Sequence, residues 1–98
     1  MKLRIPHKAM QLNGWADNTK PNLPNPLVNK AITEARKIGK TGNWILNCTE
    51  KDAEIIAELI FHKGEIYSQL GNRQARFEGR YLLNIVDQIL EQVDEYNT

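Results

Sequence analysis

Two long runs of helix-forming sequence, 49–70 (TEKDAEIIAELIFHKGEIYSQL) and 73–96 (RQARFEGRYLLNIVDQILEQVDEY), meet at Gly71-Asn72. A link that short sends the second helix back along the first. An antiparallel helical hairpin, predicted over 50–70 and 74–96, is therefore the frame that any fold of this chain must use. Thr49 is a good N-cap, and Asp52 three residues on supplies the acidic half of a capping box and suits the positive end of the helix dipole. At 100° per residue, Ile56, Leu59, Ile60, Tyr67 and Leu70 share one stripe, flanked by Ala53, Ile55, Ala57 and Ile66. Lys51, Glu54, Glu58, His62 and Glu65 lie opposite and face water. In the second helix Leu82, Leu83, Val86, Ile89, Leu90 and Val93 form the stripe, with Ala75 and Gly79 continuing it toward the turn, where small residues let the helices come close. About 22 residues make roughly 33 Å of rod.

Lys63 breaks the first stripe near its centre. The reading favoured is that the helix ends there, with Gly64 as a left-handed cap and a short separate helix at 65–70. Two others stay open: the lysine snorkels out to solvent or an acid, or it reaches a partner or an anionic ligand in a groove.

The remaining segments drape over this frame. Residues 2–5, KLRI, alternate polar and apolar and predict a short edge strand stopped by Pro6. Met10, Leu12 and Trp15 are expected over the hairpin. Residues 16–25, ADNTKPNLPN, lack periodicity and read as an extended loop. Within it Pro21 and Pro24 have the spacing of a polyproline ligand, which in isolation marks little more than a stiff loop. Asn25-Pro26 is an N-cap followed by proline at the first helical position. It opens a helix predicted over 26–38, with Leu27, Val28, Ala31, Ile32, Ala35 and Ile38 inward and Gly39 as its end. Residues 44–48, WILNC, are too short and apolar for a helix and read as a strand that pairs with 2–5 or with its own copy, because a lone strand leaves backbone groups unsatisfied. The expected fold is thus α+β and mainly α. It is one domain over 1–98: an extended segment at 1–25, a helix at 26–38, a strand at 44–48 and the hairpin.

Bulk properties narrow the function. Ninety-eight residues, 41% of them hydrophobic, suit one small soluble domain. No run approaches a membrane span, and MKLRIPHK lacks the apolar core of a signal peptide, so a cytoplasmic protein with no membrane contact is expected. The single cysteine, Cys48, agrees with a reducing compartment and excludes a multi-cysteine zinc site. Residues 1–43 hold eight basic side chains against Asp17 and Glu34, a balance of +6; residues 44–98 hold five against ten acids, a balance of −5. Either the two halves fold against each other, or the basic half offers a surface to phosphate.

Chemistry is sparse. Cys48, His7 and His62 are the residue types of a thiol enzyme, but apart from a helix N-terminus just beyond it nothing local activates Cys48. Glu54, Glu58, His62 and Glu65 share a helical face, yet no second set mirrors them as a bundle metal site requires, so a solvated face is the expectation. No phosphate loop or nucleophile elbow is present. Neither catalysis, cofactor nor metal is expected.

The distinctive pattern is Arg73, Arg76 and Arg80, three guanidiniums on one side of a helix N-terminus, where the dipole disfavours cations. Glu65 and Glu78 are the nearby compensators; otherwise an outside anion, phosphate or carboxylate, is called for. Farther along the same side come Asp87, Glu91 and Asp94, so two antiparallel copies match plus to minus. Phe77 and Tyr81 point away from the stripe, as interface anchors or base-stacking surfaces if exposed and as core if covered.

The preferred reading is a non-catalytic binding or regulatory protein working through hairpin surfaces as a homodimer or with another protein. The binding residues are Arg73, Arg76, Arg80, Phe77, Tyr81 and Lys63. The alternative is a nucleic-acid or phosphorylated-ligand binder, through the arginines and aromatics or through a basic face of Lys30, Arg36, Lys37 and Lys40 near Trp15 and Trp44. Balanced charge counts against duplex binding.

Overall fold

The computed structural model describes residues 1–16, 23–39 and 42–98. Its elements are β1 (Lys2–Pro6), α1 (His7–Leu12), α2 (Pro26–Thr33), β2 (Arg36–Ile38), β3 (Asn43–Asn47), α3 (Glu50–Gln69) and α4 (Arg73–Asn97). The fold is α+β and mainly helical, with the long α3–α4 pair packed side by side and a small antiparallel sheet in the order β1-β3-β2.

The hairpin forms for the reasons its sequence suggests. Thr49 and Asp52 close a reciprocal capping box, Asp52 N–H donating to Thr49 Oγ1 at 3.1 Å and Thr49 N–H to Asp52 Oδ2 at 3.4 Å. Asn72 caps α4 by accepting from the Gln74 and Ala75 amides. One expectation fails: α3 does not stop at Lys63. It runs unbroken through Gly64, which is buried and has no left-handed φ. Gly64 is small because it sits where the helices cross. A Cβ on it would stand 3.1 Å from the Gly79 carbonyl oxygen, and a Cβ on Gly79 would stand 2.7 Å from the Gly64 carbonyl oxygen and 2.6 Å from Ser68 Oγ. The close approach expected near the turn is real, and Gly64 is its second half.

The buried stripe of α4 is Leu82, Ile85, Ile89 and Val93, turned toward Ile85 from the expected one. Leu83 and Val86 are half-buried and Leu90 is exposed. Ile66 and Leu70 of α3 are exposed as well. The rotation follows from the elements the hairpin has to cover: β1 and α1 lie against α4, through Gln92 on Arg4 and Tyr81 under Lys8, two positions that share the Ile85 side of the helix at 100° per residue.

The strands expected at 2–5 and 44–48 are present and pair antiparallel, Leu3 opposite Leu46 and Ile5 opposite Trp44. All four side chains enter the core with Ile56, Ile60 and Ile89. Alternation sends Arg4, Ile45 and Arg36, which lie side by side across the three strands, to the other face. The outer margin of β1 is closed by a side chain. The Arg4 amide donates to Gln92 Oε1 at 2.8 Å, and Gln92 Nε2 donates back to the Arg4 carbonyl at 2.9 Å.

Two further expectations are corrected. The helix predicted over 26–38 ends at Thr33, and Arg36–Ile38 is instead an edge strand on β3. Its basic residues, which suit a helix C-terminus, equally suit an exposed sheet edge. Gly39, with φ +58, follows the strand β2 and does not cap a helix, and Gly42, with φ +75, stands just before β3. Ile38 consequently lies 54% exposed and not in the core. In the segment expected to be extended over 1–25, residues 7–12 form a short helix that buries Ala9 and Met10. The loop over 16–25 and its proline spacing fall largely on residues 17–22, outside the described residues.

Candidate functional site

The hairpin turn places the arginines as their spacing requires. Arg73, Arg76 and Arg80 are exposed on α4 and line an open recess of about 430 Å³ together with Ser68 of α3. Ser68 reaches it because the Gly64–Gly79 crossing holds the helices together. Its hydroxyl donates to the Gly64 carbonyl at 2.7 Å, leaving the oxygen lone pairs as acceptors for an arginine N–H. Among the described residues, no guanidinium of the three meets a carboxylate. Glu78 is engaged elsewhere, accepting from Gln74 Nε2 at 2.9 Å. The compensation expected from Glu65 and Glu78 is thus not made.

On the other side of the arginine ridge, Phe77, Arg80, Tyr81 and Asn84 line a second recess of about 350 Å³. Phe77 is 58% exposed, whereas Tyr81 is half-buried against the core. Lys8 of α1 adds a cation the sequence pattern does not reveal, its Nζ lying 5.6 Å from the Phe77 ring centroid and 4.8 Å from that of Tyr81. Burial pushes the Tyr81 hydroxyl above its ordinary value, with the Ala9 backbone acting against the rise. At neutral pH it is a phenol, able to donate. Toward the C-terminus Asp87, Glu91 and Asp94 are exposed and, among the described residues, equally without cationic partners.

The other candidates are dispersed. Lys63 is half-buried with its Nζ 6.0 Å from the ring of Tyr67 one turn on, and it lines none of the arginine recesses. The basic face of Lys30, Arg36, Lys37 and Lys40 is not assembled. Lys30 is on α2, and Arg36 and Lys37 point to opposite sides of β2 by strand alternation. Lys40 lies outside the described residues. Trp15 and Trp44 are both buried. Trp44 Nε1–H donates to His7 Nδ1 at 3.0 Å, with the two rings 11° from parallel, so neither indole is offered to a ligand.

Among the described residues, no group of three or more His, Cys, Asp or Glu side chains is gathered as a metal site would need, and no helix is long and apolar enough to cross a membrane. Burial pushes the Cys48 thiol above its ordinary value, the Met1 amino group opposing and Asp52 adding to the rise, which is the reverse of an activated nucleophile. Compared with protein-family models, curated proteins and solved structures, the chain matches none.

Proposed function

We propose that this chain is a non-catalytic binding or regulatory protein that acts through the outward face of its helical hairpin and works as a homo-oligomer. The observation that carries the reading is the state of α4: three arginines and three acids stand exposed on one side of a single helix and, among the described residues, none is paired within the chain. Charges that the fold leaves uncompensated are where an incoming surface gains most, through attraction and through register. A cytoplasmic home fits the single cysteine. Light scattering over a range of concentrations tests the oligomer; a monomer at high micromolar concentration and low salt would remove it.

A second reading is favoured by a different observation, the grouping of Phe77, Tyr81 and Lys8 beside the arginine recess. An exposed ring next to convergent cations suits a single-stranded nucleic acid or a phosphorylated small ligand, with phosphate on the guanidiniums and a base against Phe77. Fluorescence anisotropy with a labelled oligothymidylate tests it. Salt-sensitive binding that is lost in Arg73→Ala/Arg76→Ala/Arg80→Ala is expected, and binding unchanged by that triple substitution would refute the role of the arginines.

A further inference from the structure

The charges on α4 are arranged against the helix's own dipole at both ends. Arginines crowd the positive N-terminus and acids the negative C-terminus, the reverse of what stabilises a single helix. Asn72 satisfies two of the free amides at the start of α4, but no carboxylate among the described residues answers the arginines. At 100° per residue, Arg73, Arg76, Arg80, Asp87, Glu91 and Asp94 fall within an arc of about 60° along roughly 32 Å of helix. That narrow stripe is fully on the outside of the molecule.

Its spacing has a centre. Asp94 is as far beyond the Leu83–Asn84 step as Arg73 is before it; the same holds for Glu91 and Arg76, and for Asp87 and Arg80. We infer that two copies of this chain pair through α4, antiparallel about a twofold axis at Leu83–Asn84. This rests on reading the outward face of α4 as the binding surface. Arg73 and Arg76 of each copy then lie opposite Asp94 and Glu91 of the other, and Arg80 lies opposite Asp87. Both ends of both helices are compensated at once, and the two helix dipoles run side by side in opposite senses. At the axis itself like residues meet. Asn84, exposed on one side of the stripe, has an amide that donates to and accepts from its own copy. Leu83, on the other side, is half-buried where it covers Gly64 and closes the apolar edge of the contact. Such self-complementarity is what an isologous interface demands. A contact made mainly of exposed charges is steered by electrostatics and weakened by salt.

Charge exchange tests the register. Two variants are made, Arg73→Glu/Arg76→Glu/Arg80→Glu and Asp87→Arg/Glu91→Arg/Asp94→Arg, with far-ultraviolet circular dichroism to establish that each keeps its helices. The expected result is a wild-type dimer at low salt that dissociates as salt is added, two variants that are each monomeric, and a one-to-one heterodimer when they are mixed. If either triple variant fails to fold, Arg80→Glu and Asp87→Arg, alone and mixed, give the same pattern at smaller amplitude. A wild-type monomer at high micromolar concentration, or variants that do not pair with each other, overturns the proposal. A dimer that survives both substitutions also overturns it, while leaving oligomerisation through another surface in place. Oligothymidylate binding is scored separately on Asp87→Ala/Glu91→Ala/Asp94→Ala, which keeps all three arginines, adds no cation and removes the acids the pairing needs, so loss of the dimer and loss of the nucleic-acid reading are told apart.

Discussion

Single side chains decide how the tryptophans and the cysteine behave. Trp44 is buried, and its indole N–H has His7 Nδ1 as partner. His7→Ala removes that acceptor and leaves a buried donor unmatched, a loss of about 1–3 kcal/mol. Urea unfolding followed by tryptophan fluorescence measures it, and an unchanged midpoint would refute the role assigned to His7. Cys48 gives a pH prediction. Because burial favours the neutral thiol, its folded value lies above the ordinary 9.0, so alkylation by iodoacetamide should switch on at higher pH in the folded protein than after urea denaturation. The linked stability is whole below the unfolded value and drains away as pH climbs through the folded one. An inflection at or below that of the unfolded chain would contradict the burial of the thiol. The His7–Trp44 pairing is not legible in sequence, since the two residues come together only through the β1–β3 register.

At the scale of elements, the helix crossing is the sharpest case. A glycine replaced by alanine inside a helix ordinarily gains up to about 1 kcal/mol. At Gly79 the added methyl would meet backbone and the Ser68 hydroxyl at 2.6–2.7 Å, so Gly79→Ala should instead destabilise by about 1–3 kcal/mol. Gly71→Ala, with nothing within 4 Å, serves as control; equal midpoints for the two variants would show that the close approach is not needed. Gln92→Ala should unpin the outer margin of β1, read as faster hydrogen exchange at the Arg4 amide with most of the core unaffected. The elements that sequence made legible are those with long periodicity or explicit caps: α3 with its Thr49–Asp52 box, α4 after Asn72, and α2 from Asn25-Pro26. What it hid has a common cause. Residues 34–39 carry a pattern that suits either a helix end or an edge strand, and only the need of β3 for a second neighbour decides between them. Gly64 and Lys63 resemble a helix stop because the crossing that requires a glycine there lies on another part of the chain. The arginine site was half legible: Arg73, Arg76, Arg80 and Phe77 follow from spacing on one helix, while Ser68 and Lys8 arrive from elements whose placement is tertiary.

For the whole molecule, the opposite charges of the two halves invite the idea that they hold each other together. Among the described residues no ion pair joins them, and the core is a continuous apolar cluster drawn from β1, α1, α2, β3, α3 and α4. The urea midpoint of the monomeric fold should therefore change little between low and high salt beyond the general strengthening that salting-out ions confer, whereas self-association through α4 should weaken over the same range. A fold that falls apart in step with the oligomer would show that the two are one cooperative unit. The link from Gln92 to Arg4 also bears on how the molecule meets others. An amide that imitates a neighbouring strand occupies one border of the sheet, and the opposite border carries Arg36 and Lys37. A sheet that can be lengthened at no more than one border cannot grow strand upon strand, so crowding this protein should yield no continuous intermolecular sheet, read as the absence of thioflavin T binding.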